Sequence, residues 1–87
     1  IKNIAMYGCG GVSMTFFYHL QKHNIQVDDF YDNDKRKKNQ YIPKYNKKVI
    51  PGDKFNFKFY DLIIATNNNV KSFLKKKNKT INIISLQ

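Results

Sequence analysis

Apolar residues fall into short runs broken by glycine, asparagine and lysine-rich stretches. Lys2 to Tyr7 is compact, mostly apolar and stopped by Gly8, the pattern of a buried strand ending in a turn. From Val12 to Asn24 the spacing changes. Val12, Phe16, Phe17 and Leu20 recur three and four apart, which predicts a helix with Met14 and Tyr18 flanking its apolar stripe and His23-Asn24 at its end. Ile25 to Tyr31 resumes strand character, with Ile25, Val27 and Phe30 inward, and stops at the turn-forming Asp32-Asn33-Asp34. Lys35 to Lys48 is polar and basic apart from Tyr41-Ile42-Pro43, and reads as loop with at most a short helical turn. Lys48-Val49-Ile50 is a brief strand closed by Pro51-Gly52.

Asp53 to Tyr60 fits two periods. Phe55, Phe57 and Phe59 alternate as in a strand, while Phe55 and Phe59 also share a helix face. Asp53 after Pro-Gly suits an N-cap, so a short helix is expected. Asp61 to Ala65 is the strongest strand, broken by Thr66 and three asparagines. Asn68 or Asn69 is expected to cap a helix through Val70, Phe73 and Leu74 to Lys77, and Thr80 to Leu86 forms a last strand. Alternating strands and helices predict a parallel sheet with covering helices. The runs Asn3–Tyr7, Leu62–Ala65 and Ile81–Leu86 are continuous rather than alternating, as in strands covered on both faces. There is no internal repeat and no domain boundary.

The chemistry concentrates where the first strand meets the first helix, at Gly8-Cys9-Gly10-Gly11-Val12-Ser13. A dinucleotide fingerprint needs one glycine for a tight turn, a second for close phosphate approach and a small residue where helix meets strand. Gly8 and Gly10 fill the first two roles, and Ser13 stands at the third. The free N–H groups at the helix start favour a phosphate. Asp32 lies 21 positions after Gly11, at the end of the second strand, where the fingerprint places an acid for a ribose hydroxyl; Asn33 adjoins it. Thr66 and Asn67 follow the Leu62–Ala65 run at the same edge and would face a ligand from the other side of the crevice; Asn67 also suits a capping loop. Strand, glycine loop, helix, second strand and acid agree in spacing. The expected fold is therefore a three-layer α/β Rossmann-like domain with a mostly parallel sheet of order 3-2-1-4-5, thinly covered around strand three.

Composition narrows the picture. The 87 residues make one small domain, expected to be a fragment of a larger protein because the chain begins with Ile1 and stops at a fifth strand. One cysteine excludes a disulfide framework and a Cys-rich zinc site. No run is long enough to span a bilayer and no signal sequence is visible, so a cytoplasmic location is expected. The net charge of +10 invites an anionic partner. Yet fifteen of the sixteen cations are lysine, alongside eleven Asn and ten Ile, a set that A/T-biased codons produce without selection for such a partner. The aromatic residues interleaved with lysine from Tyr41 to Tyr60 would suit stacking on a single strand, but no nucleic-acid motif accompanies them, and nucleic acid is not the expected partner. Cys9 sits near a helix start that would lower a thiol pKa, yet no activating base is placed beside it. His19 and His23 are one helical turn apart without a third ligand. No catalytic or metal site is expected, and catalysis by this domain alone is not.

The glycine loop, Phe30-Tyr31-Asp32-Asn33-Asp34, Val49-Ile50-Pro51 and Tyr60 to Ala65 together resemble the Rossmann-like domains of bacterial surface-glycan synthesis. These are the N-terminal domains of nucleotide-sugar acetyltransferases and similar modules on sugar methyltransferases and glycosyltransferases. The resemblance implies a nucleotide or nucleotide-sugar held by Gly8, Gly10, Gly11 and Asp32 within a polysaccharide-biosynthesis protein. The acetyl-transfer hexapeptide repeats are absent. A fragment of an NAD(P)-dependent oxidoreductase is the enzymatic alternative; a basic nucleic-acid-associated domain or a ligand-free scaffold are the others.

Overall fold

A computed structural model describes residues 3–43 and 45–87. The expected strand start at Lys2 and Lys44 of the basic loop lie outside them. Five parallel strands, β1 (Ile4–Tyr7), β2 (Asp29–Asp32), β3 (Val49–Pro51), β4 (Leu62–Ala65) and β5 (Ile83–Ser85), form one sheet. Their order is β3-β2-β1-β4-β5, as the alternation of elements predicts. This is a Rossmann-like α/β fold. β1 lies centrally, with Met6 paired to Phe30 on one side and to Ile64 on the other.

The two sheet faces have separate cores. Helix α1 (Gly11–Lys22) covers one, where Ile4, Met6, Phe17, Val27, Phe30, Val49 and Ile64 pack. Helix α2 (Asn68–Lys77) and the 52–60 segment cover the other, built on Ala5, Tyr7, Tyr31, Ile63, Ala65, Leu74 and Ile83. Burial on both faces explains the continuous apolar runs of β1 and β4. β5 is an edge strand, and Ile84 there is exposed.

α1 is rotated from its expected stripe. Ser13 and Phe17 are its buried residues, Phe16 and Leu20 lie partly buried beside them, and Val12 faces solvent at 42% exposure. The helix ends as predicted. His23 is the C-cap, and Asn24 takes a left-handed φ of 58° so that Ile25 N–H reaches back to the Leu20 carbonyl at 2.9 Å. The expected strand from Ile25 is shorter. Residues 25–28 run irregularly beneath β1, and Ile25 is 41% exposed. Asp28 completes this approach, donating its N–H to the Ile4 carbonyl and accepting the Ile4 N–H on Oδ2 at 2.8 Å.

The expected helix over 53–60 is two single 3-10 turns, Gly52–Lys54 and Phe57–Phe59. Asn56 rather than Asp53 is a side-chain cap there, accepting Lys58 N–H at 3.0 Å. Extended Phe55 between the turns drops its ring against Tyr7, Tyr31 and Tyr60. α2 begins one residue early, because Asn67 supplies the cap. Its cationic end is anchored where Lys75 Nζ donates to the Ile81 carbonyl at 2.6 Å. Tyr45, Phe55, Phe57 and Tyr60 pack against the cores, leaving Tyr41 and Phe59 as the exposed rings between 41 and 60. No described helix is long and apolar enough to cross a membrane.

Candidate functional site

The carboxyl ends of β1, β2 and β4 converge on the glycine loop. Gly8 N–H donates to the Tyr31 carbonyl at 2.7 Å and Thr66 N–H donates to the Tyr7 carbonyl at 3.0 Å, so the loop leaves the sheet between its two neighbours. Gly8 has φ +93°, and a Cβ there would lie 2.5 Å from Thr66 Cγ2. That combination requires glycine. Gly10 is the α1 N-cap, without a side-chain cap, and the first turn of the helix carries no acid. A Cβ on Gly10 would meet nothing nearer than Lys37 Nζ at 3.9 Å, and one on Gly11 nothing within 4 Å. The space above Gly11 is thus open and that above Gly10 is bordered by Lys37 Nζ, over a helix start whose N–H groups are aligned for an anion.

Asp32 ties β2 to this loop. Its Oδ2 accepts Cys9 N–H and its Oδ1 accepts Asp34 N–H, both at 2.8 Å, and Lys37 Nζ stands 3.8 Å from Oδ2. A carboxylate has about four acceptor positions, so these two bonds leave capacity for a ribose hydroxyl. Asn33 is committed elsewhere, its Oδ1 accepting the Tyr7 hydroxyl at 2.6 Å. Gly52 lies so close that a Cβ on it would strike both of those side chains. Burial, reinforced by the Asp32 charge, raises the Tyr7 pKa.

The remaining predicted site residues divide plainly. Ser13 is fully buried, which suits the small residue demanded where helix meets strand, and its Oγ has no hydrogen-bond partner among the described residues. Val12 points away from the core at the helix start. Thr66 places its methyl beneath Gly8, and Asn67 Oδ1 caps α2 by accepting Val70 N–H at 2.9 Å. The thiol of Cys9 donates to the Tyr31 carbonyl at 3.3 Å. The helix-start effect expected to acidify that thiol loses to burial. Desolvation first, then the Asp32 charge, pushes Cys9 up to about 12, against a smaller opposing effect of Lys37. A protonated, buried thiol is a poor nucleophile. His19 borders a shallow groove with Val12, Thr15, Phe16 and Leu86, while His23 caps α1. Among the described residues no cluster of three metal-ligating side chains occurs.

Beside the loop, beyond the ends of β2 and β3, lies a groove of about 530 Å³. Asp32, Asn33, Lys35, Lys38, Pro51, Gly52, Asp53 and Lys54 line it. Sequence patterning marked Asp32 and Asn33 on one wall but not the far wall, because the groove forms where the 33–38 turn meets the 51–54 turn. The isolated glycine after a strand, Gly52, was the one local signal for that far wall.

A central glycine turn, an open helix start and an acid-bearing second strand define a Rossmann-like domain with a crevice at the carboxyl edge of its sheet. Solved structures of a dehydrogenase share this fold. Aspartate semialdehyde dehydrogenase II from Vibrio cholerae superposes with a TM-score of 0.75 at 15% identity, covering 95% of this chain and 27% of that one. The same enzyme complexed with ASA gives 0.71 at 18% identity, covering 95% and 29%. The chain therefore spans well under a third of either dehydrogenase. No protein-family model matches the chain, and no curated protein matches it significantly. The Rossmann-like part of the expectation stands; the two neighbours are dehydrogenases, not surface-glycan enzymes.

Proposed function

We propose that this chain is the dinucleotide-binding part of a larger NAD(P)-dependent oxidoreductase. The observation that carries the reading is the open, uncapped α1 start above Gly10 and Gly11, flanked by Asp32 and the groove beyond β2 and β3. Helix N–H groups and a positive dipole end suit a pyrophosphate there, and Asp32 retains capacity for a ribose hydroxyl. The likeness to dehydrogenases moves this reading ahead of the nucleotide-sugar module suggested by the sequence resemblance. The nicotinamide ring would supply hydride chemistry when bound. This chain's contribution is binding, since its thiol is buried and protonated. Substrate groups would come from the rest of the polypeptide.

Calorimetry with NAD, NADP and UDP-sugars tests it. Saturable binding of a dinucleotide is expected, weakened at least tenfold in Gly10→Ala, whose added methyl occupies the phosphate approach and meets the protein only in ordinary contact, at Lys37 Nζ 3.9 Å away. Binding of a UDP-sugar alone would instead support the nucleotide-sugar module. Binding of neither would leave a scaffold.

A further inference from the structure

The four cations after β2 do not behave alike. Arg36 is spent on Asp34, with Nε and Nη2 reaching its carboxylate at 3.0 and 2.9 Å, and its side chain is 90% exposed. Lys35 and Lys38 border the groove. Lys37 folds back over the glycine loop. Its side chain is 30% exposed, and its Nζ lies 3.8 Å from Asp32 Oδ2 and 3.9 Å from a Cβ position on Gly10.

The local chain dictates that placement. Asp32 Oδ1 accepts Asp34 N–H, Asp34 Oδ1 caps the 3-10 turn Lys35–Lys37 by accepting Arg36 N–H, and Lys37 N–H closes the turn onto the Asp34 carbonyl at 3.0 Å. At 3.8 Å the ammonium is paired with Asp32 in charge but not hydrogen-bonded. Among the described residues its three donors therefore make no hydrogen bond, and it overhangs Gly10.

We propose that Lys37 supplies the cation for the ligand's phosphate, completing over Gly10 a seat that the loop N–H groups form from below. This rests on the dinucleotide reading and adds to it a residue that the fingerprint does not contain. A compact, strongly hydrated ammonium is suited to a phosphate as a point charge. It also offsets the Asp32 carboxylate, which would otherwise repel a phosphate at this distance.

The test is ADP-ribose and adenosine binding to the 87-residue chain and to Lys37→Gln, Lys37→Arg and, as a control at an exposed lysine in the turn after α2, Lys79→Gln, with folding checked by amide spectra. Loss of a partly exposed charged hydrogen bond is worth about tenfold. Lys37→Gln is expected to lose that much affinity for ADP-ribose and none for adenosine. Lys37→Arg should recover most of it, and Lys79→Gln should stay within about twofold. Unchanged ADP-ribose affinity in Lys37→Gln overturns the proposal while leaving the dinucleotide reading intact. If the wild type binds no dinucleotide or ADP-ribose, that reading falls, and inorganic pyrophosphate decides the seat. Shifts of the Gly10 and Gly11 amides that disappear in Lys37→Gln sustain it. Absent shifts, or shifts indifferent to the substitution, overturn it.

Discussion

Gly8 and Gly10 share a loop, yet their glycines answer to different constraints. Gly8 is held by the protein itself, through a left-handed φ and the Thr66 methyl. Gly8→Ala should therefore cost about 3 kcal/mol in urea unfolding, combining the backbone penalty with overpacking. A cost below about 1 kcal/mol would mean that Thr66 moves aside freely. Cys9 gives a second residue-scale expectation. Its folded pKa of about 12 lies above the ordinary thiol value of 9.0, so the unfolded chain loses its proton first as pH rises. The associated stability is complete below pH 9, declines through the interval from 9 to 12 and is gone above it. Tyr7, Tyr31 and Tyr60 are also raised, chiefly by burial, and shift the same way. Cys9→Ala should show a shallower alkaline decline in denaturant titrations than the wild type. An identical slope would place the thiol in contact with water.

Among the elements, α2 shows how a cap is chosen. Three asparagines follow Thr66, and Asn67 wins because β4 ends at Ala65 and the chain must turn at once. Asn67→Ala should destabilise the fold by about 1 kcal/mol, and Asn69→Ala by much less. Comparable losses would show that the cap slides along the run. β1 and β4 were legible in the sequence because burial runs through nearly their whole length, and α2 because an asparagine cap precedes apolar Val70 and Leu74 four apart. Residues 25–28 and 53–60 were not, because Val27 is buried in irregular chain and Phe55 and Phe57 pack partly buried from single 3-10 turns and the link between them. An apolar residue filling a gap under a sheet carries the same local signature as one in a strand. The site divides in the same way. The loop and Asp32 obey a fixed spacing, whereas Lys37 and Gly52 gain their places from how the segments after β2 and β3 fold back, which no local period encodes.

For the whole molecule, the β3-β2-β1-β4-β5 order sets a gradient of stability across the sheet. β1 has parallel partners on both sides and is buried along its length, and β4 is nearly so. β3 and β5 each have one strand neighbour and only three residues. A chain of this size has a total stability of roughly 4–13 kcal/mol, so edge opening that costs a few kcal/mol less than global unfolding is measurable. Amide exchange should be slowest in β1 and β4, at the global unfolding free energy, and at least about 2 kcal/mol less protected in β3 and β5. The same gradient bears on the site, because the glycine loop springs from the most protected strand while the groove is walled by the turn after the edge strand β3. A ligand bridging the two should slow exchange in β3 more than in β1. Equal protection across all five strands, with or without nucleotide, would show that the sheet opens as one unit and that the groove is not its pliable side.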